Sequence, residues 1–154
     1  MKFIRTKELS KGLKIEILIL WNNEYPKKLN CRNLLDFDIY LENLNNKSYI
    51  LMLDQNQNIK GCYFDFFRNE EKWFVIIVDS KIHGQGYGTQ ILNLAKERES
   101  ELNGWVIDHD NDKKLNGEFY KSPLDFYLKN GFEKFSDIRL ELDKLSAIKI
   151  KWKK

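Results

Sequence analysis

The residues of this sequence most able to do chemistry through the main chain alone are the three glycines of His83-Gly84-Gln85-Gly86-Tyr87-Gly88-Thr89, which follow the apolar run Trp73 to Val78 and open an amphipathic segment. Glycine adopts φ > 0 at little cost and lets a ligand approach the backbone closely. The first N–H groups of a following helix lack intrahelical acceptors and lie at the positive end of its dipole. Such a turn holds an anion, most often phosphate. A nucleoside-triphosphate loop would continue with Lys and then Ser or Thr, and no Lys follows these glycines. The dinucleotide fingerprint needs a small residue where Thr89 stands, although Asp108 lies at a suitable distance for a ribose contact.

A second segment, Ser122-Pro123-Leu124-Asp125-Phe126-Tyr127-Leu128-Lys129-Asn130-Gly131-Phe132, begins like a helix. Ser122 suits the cap, Pro123 the first position, and Asp125 a variant of the capping box with its carboxylate at the positive end. Asn130-Gly131 ends it. Within it Tyr127 carries a phenol, and a core tyrosine between Phe126 and Leu128 is the alternative to a catalytic one.

Together the two segments resemble the GNAT family of N-acetyltransferases. The family's Arg or Gln, two residues, Gly, one residue, and Gly or Ala fall on His83, Gly86 and Gly88, with Gly84 filling the usual Gly after the basic residue. Val78 and Ser80 take the places of its frequent Val-x-Pro. Phe126-Tyr127 and Gly131-Phe132 are similar to its Phe-Tyr-x-x-x-Gly-Phe, which lies about forty residues after the loop in these proteins as here. His83 and Ser80 are the departures, and the similarity runs from about Ile59 to Phe132.

The resemblance implies an α/β (α+β) fold, with a mixed, mostly antiparallel sheet of about seven strands flanked by about four helices. It implies acetyl-coenzyme A as co-substrate, with no metal. Its pyrophosphate would lie on His83, Gly84, Gln85, Gly86, Tyr87, Gly88 and Thr89, and its pantetheine arm along the main chain of Ile76 and Val78, where two central strands splay. Tyr127 occupies the family's general-acid position. Asp108, directly after the partner strand, is expected as a catalytic or acceptor-binding carboxylate and His109 as an acceptor-binding residue, while Asp110 and Asp112 either point toward the amine as well or are polar turn residues. Glu24 is a second acceptor candidate, in the loop that often covers the acceptor pocket.

The chemistry is demanding. An alkylamine of pKa ~10.4 is neutral about 0.04% of the time at pH 7, equivalent to roughly 4.6 kcal/mol, and only the neutral amine attacks a thioester. A carboxylate or His109, directly or through water, could take the proton. The departing thiolate is about as basic as a Cys thiol at ~8.5, so a phenol serves as its acid only when beside the sulfur. Neither Cys31 nor Cys62 stands in a motif for a covalent intermediate, which favours direct transfer. The rival reading is a non-catalytic coenzyme A-binding module for a protein partner.

The remaining sequence must position these groups. A chain of 154 residues with 42% hydrophobic content and 14% aromatics suits a single domain, residues 1–154. A net charge of +3 is too small for a dedicated nucleic-acid binder, and Lys149, Lys151, Lys153 and Lys154 read as a solvated edge strand and tail. Cys31 and Cys62 read as buried free thiols. No leader or membrane span is evident, so a cytoplasmic monomer or homodimer is expected.

Strands are expected at Lys2–Arg5, Lys47–Leu53, Ile59–Arg68, Trp73–Val78, Trp105–Ile107, Glu133–Phe135, Ile138–Leu142 and Ala147–Trp152. Ser10–Trp21 fits either periodicity, and family order favours helix, broken at Tyr25-Pro26. A second helix is expected at Asn33–Leu44. A third, after the loop, has Ile91, Leu94, Ala95 and Leu102 on one side and stops at Asn103-Gly104. The strand after it would lie parallel to Trp73–Val78.

Overall fold

The computed structural model describes residues 1–154. Its strands are β1 (Lys2–Thr6), β2 (Asn45–Leu53), β3 (Ile59–Arg68), β4 (Glu71–Val78), β5 (Glu101–Val106), β6 (Glu133–Leu142) and β7 (Leu145–Lys153). They form one sheet in the order β1-β2-β3-β4-β5-β7-β6, and only the β4–β5 contact is parallel. The helices are α1 (Lys11–Glu24), α2 (Leu34–Glu42), α3 (Tyr87–Lys96) and α4 (Leu124–Lys129), with short 3₁₀ turns at Lys27–Leu29 and Ser80–Ile82. The expected mixed, mostly antiparallel sheet with four helices is the observed one.

Each face of the sheet has its own apolar layer. Ile17 and Leu20 of α1 and Phe37 and Leu41 of α2 bury against Leu51, Cys62, Phe64 and Trp73. On the other face Ile91, Leu92 and Ala95 of α3 and Tyr127 of α4 bury against Ile50, Tyr63, Phe74 and Ile150. The ambiguous first segment is a helix because its ends are fixed locally. The Ser10 hydroxyl accepts the Leu13 N–H at 3.2 Å, and Tyr25-Pro26 stops it after Glu24.

Four expectations need correction. The third helix ends at Lys96, and Leu102, Asn103 and Gly104 belong to β5. Asn103-Gly104 resembles a helix stop, but Gly104 is glycine because a Cβ there would lie 3.0 Å from the Phe74 ring. The Lys-rich strand is not an edge: β7 runs between β5 and β6, Lys149 pairs with Glu71, and Lys151 pairs with Glu71 and Glu101. The two expected strands after α4 are one, β6, with a register break between Phe135 and Arg139. Cys31 is half-buried and only Cys62 is fully enclosed.

Candidate active site

The site begins where the sheet fails to continue. β4 and β5 share a single register pair, Trp73 with Asn103. On its other side β4 pairs with β3 without a break, and the Asp79 N–H donates to the Lys60 carbonyl at 2.9 Å. Antiparallel alternation then points the peptide groups of Ile77, Val75 and Trp73 at β3, and those of Phe74, Ile76 and Val78 away from it. Ile76 is therefore the first residue past the Trp73–Asn103 bridge whose N–H and C=O face an open gap. The base of the gap is pinned by the stacked rings of Trp73 and Trp105, 5.2 Å apart, and by Phe74 over Gly104.

Beyond β4 the chain enters the glycine turn. Gly84 (φ 78°) and Gly86 (φ 85°) are left-handed, and a Cβ on either would meet nothing within 4 Å, so conformation rather than crowding requires glycine there. Gly86 caps α3 without any side-chain acceptor, and the first helical bond runs from Gln90 N–H to the Gly86 carbonyl. The N–H groups of Tyr87, Gly88 and Thr89 stand at the positive end of α3, as an anion cradle needs. Gly88 has a different reason: its Cβ would lie 3.0 Å from the Phe126 ring, so it lets α4 pack on α3.

The His83 ring turns inward. Its Nε2 lies 2.8 Å from the Val78 carbonyl, so it braces the turn instead of reaching outward as an anion ligand. One consequence corrects the expectation for Val78, whose carbonyl is occupied and whose N–H alone remains for a ligand in the gap.

On the α3 face of the sheet Tyr127 sits on α4 with 8% of its surface exposed, ringed by Phe74, Phe126 and Phe132 at 5.2–5.9 Å in edge-on or nearly edge-on contacts. Burial, with a smaller contribution from Tyr120, pushes its phenol well above the ordinary value. Tyr25 and Tyr120, rings 6.4 Å apart, are likewise raised, chiefly by burial. Sequence reasoning missed Tyr25 and Tyr120, because neither stands in a motif. The capping box at α4 is not formed as expected: Pro123 is the cap residue, while the Ser122 hydroxyl donates to the Ile107 carbonyl and weakly accepts the Leu124 N–H at 3.3 Å.

The carboxylates expected near the acceptor are engaged elsewhere. Asp108 takes both ends of the Arg139 guanidinium at 2.9 and 3.0 Å, an arrangement that joins the end of β5 to β6 and holds its carboxyl below the ordinary range. This is the reverse of what a general base near neutrality requires. His109 Nδ1 accepts the Asn111 N–H at 3.1 Å, leaving Nε2 as the protonated nitrogen, 3.8 Å from Asp112 Oδ2. Asp112 Oδ1 pairs with Lys28 at 2.8 Å, while Oδ2 is buried with no hydrogen-bond partner. Asp110 accepts the Ser122 N–H, as a turn residue should.

Glu24 is a clasp. Its Oε2 accepts the N–H and hydroxyl of Ser80 at 3.0 and 3.2 Å, and its Oε1 accepts Lys114 at 3.1 Å. Lys114 belongs to a small hairpin between β5 and α4, closed by Lys113 with Phe119 and tied back to Pro26.

These contacts predict that Asp108→Asn lowers the melting temperature at neutral pH without altering the pH dependence of turnover. The native pKa lies below the ordinary ~3.9, so the pairing contributes stability above that value and loses it as pH falls through the lowered pKa. Thermal scans should show the gap between variant and wild type narrowing below pH ~3.9.

The profile of the acetyltransferase (GNAT) domain family matches residues 45–134, more than half of the chain. The chain belongs to the GNAT family. No curated protein matches the sequence at a significant level. Among solved structures, this GNAT protein superposes on an aminoglycoside 6'-N-acetyltransferase complexed with coenzyme A, with TM-score 0.73 and 12% identity over 99% of this chain and 97% of that one. A spermidine N-acetyltransferase variant from Vibrio cholerae gives 0.68 and 14% over 99% and 95%. A phosphinothricin acetyltransferase from Sinorhizobium meliloti in complex with acetyl-coenzyme A gives 0.68 and 13% over 99% and 89%. At these identities the likeness speaks to the fold. No group of three or more His, Cys, Asp or Glu is gathered to hold a metal, and no helix is long and apolar enough to cross a membrane.

Proposed function

We propose that this protein is an acetyl-coenzyme A-dependent N-acetyltransferase, acting on a primary amine of a small molecule or peptide by direct transfer. The observation that carries the reading is the unpaired edge at Ile76, which leads into a glycine turn with free helix N–H groups and whose side chain packs on the cluster that holds the buried Tyr127. In this reading the pantetheine amides complete the strand at Ile76 and at the Val78 N–H. The pyrophosphate rests on the amides from Gly84 to Thr89, with His83 holding the turn's shape. Tyr127 donates its proton to the leaving thiolate sulfur, and the acetyl carbon passes from sulfur to the neutral amine nitrogen.

Tyr25 and Tyr120 wall the acceptor side. The proton lost by the amine passes, through water, toward Asp112 Oδ2, the buried carboxylate oxygen that has no partner. All of this is assigned to one domain, residues 1–154, as a cytoplasmic monomer or homodimer, with neither nucleic acid nor membrane among its partners.

The test is thiol release from acetyl-coenzyme A across polyamines, amino acids, aminoglycosides and peptide N-termini. At least one class should be turned over, and with it Asp112→Asn should lower kcat while leaving the cofactor KM nearly unchanged. Cofactor binding without turnover of any amine would sink the enzymatic reading.

A further inference from the structure

Ser80, the first residue of the 3₁₀ turn that follows β4, offers a backbone N–H and a hydroxyl. Both donate to Glu24 Oε2, and the other oxygen of the same carboxylate holds Lys114. The Glu24 and Lys114 side chains are only 12% and 10% exposed, so the pair is partly desolvated and more rigid than a surface ion pair. On the other side of Ser80, its carbonyl accepts the His83 N–H at 3.3 Å, and His83 opens the glycine turn. A continuous bonded path thus runs from the turn through His83, Ser80 and Glu24 to Lys114. It ends in the 113–119 hairpin, whose rungs are the Lys114 N–H to the Glu118 carbonyl and the Tyr120 N–H to the Asp112 carbonyl, both 2.8 Å. The hairpin in turn takes the Lys27 N–H on the Lys113 carbonyl at 2.8 Å, which fastens it to the α1–α2 connection. That connection is itself rigid, because the Trp21 indole donates to the Leu29 carbonyl and the Asn22 amide clamps the main chain of Cys31 from both sides.

We propose that Glu24 is a positioning residue that couples the cofactor turn to the wall of the acceptor pocket, so that occupancy of the turn orders the 113–119 hairpin. The proposal rests on the acetyl-coenzyme A reading above. A ligand on the turn restricts His83 and Ser80. Restricting Ser80 fixes the Glu24 carboxylate, and a fixed carboxylate holds Lys114 and the hairpin rungs beside it. Coupling of this kind needs no large displacement, only a reduction in the local opening of the hairpin when the turn is filled. By linkage the effect is reciprocal, and an acceptor seated against the hairpin would tighten the cofactor.

Ser80→Pro is the incisive variant. Ser80 is the first residue of its 3₁₀ turn, a position that suits proline, and Asp79 before it has φ −52° and ψ 124°, which a following proline accepts. It removes both donors to Glu24 and leaves Lys114 in place. Lys114→Met breaks the other arm while keeping a long apolar stem.

The measurement is amide hydrogen exchange at Lys27, Lys114 and Tyr120, with and without coenzyme A, in the full-length protein. Wild type should exchange about fivefold or more slowly at these amides when coenzyme A is bound, the lower end of ordinary site-to-site coupling. In Ser80→Pro and in Lys114→Met, coenzyme A should still raise the melting temperature but leave the three rates unchanged. Wild-type rates that ignore coenzyme A, or rates slowed equally in both variants, would overturn the coupling while the cofactor reading stands. If coenzyme A causes no thermal shift in wild type, the cofactor reading fails and the coupling with it.

Discussion

Tyr127→Phe should lower turnover by a factor on the order of 10²–10⁴, roughly 3 to 5 kcal/mol of transition-state stabilisation, while cofactor affinity and melting temperature change little. The variant deletes one hydroxyl and keeps the ring that packs edge-on to Phe74, Phe126 and Phe132. Burial raises the phenol's pKa, so it stays protonated at every pH below the ordinary phenol range near ~10. The loss should accordingly be the same at pH ~6 and pH ~9, with no titration limb belonging to this residue. An acyl donor whose thiol is more acidic should restore part of the rate to Tyr127→Phe, since a better leaving group needs less help. A variant merely damaged in packing would recover nothing. Wild-type turnover in Tyr127→Phe with every acceptor would remove the residue from the mechanism.

Gly86→Glu should abolish the stabilisation that coenzyme A gives. At a ligand concentration of 100 times Kd, a binder of the native state contributes about 2.7 kcal/mol, which for a domain of this size is about 5–10 °C in Tm. The added carboxylate would stand in the open space in front of the α3 N-terminus, against the phosphate. It also forces a side chain onto φ 85°, so the unliganded variant melts lower for a reason unrelated to binding. Gly117→Ala separates the two effects. Gly117 has φ 86° and equally open surroundings but lies in the hairpin, so its substitution carries the backbone strain and keeps the ligand shift. An unchanged shift in Gly86→Glu would place the cofactor elsewhere.

The parts of this fold that were legible in the sequence are those fixed by local physics. Glycines with positive φ, a helix dipole and a short apolar run rich in aromatics leave the same signature wherever they occur, which is why the 83–89 turn and Ile59–Arg68 are seen as expected. Asn103-Gly104 misled because the same two residues that end a helix also serve a strand when a neighbouring ring needs the space, and Phe74 is distant in sequence. The acceptor side was least legible, because its charges are decided by partners far along the chain. Nothing near Asp108 announces Arg139, and nothing near Glu24 announces Lys114. The phenols of Tyr25 and Tyr120 converge only through the hairpin that brings residues 113–120 back onto α1. The insertion of β7 beside β5 depends in the same way on a long-range pairing that periodicity does not encode.

The sheet consists of two leaves, β1 to β4 and β5-β7-β6, whose main chains touch at one rung, Trp73 with Asn103. The indole stack of Trp73 on Trp105 and the seating of Phe74 over Gly104 lie at that same end, and so does the bond from the Asn103 amide to the Lys72 carbonyl. The leaves are thus joined by a pivot, and no backbone bond sets their separation at the far end. Small rotations about the pivot would widen or narrow the mouth without breaking a rung, opposed by side-chain packing rather than by the backbone ladder. A protein with this mechanical layout can adapt to thicker or thinner guests by trimming the bulk of the pivot, at Trp105 or Phe74, while the residues that touch the guest stay as they are.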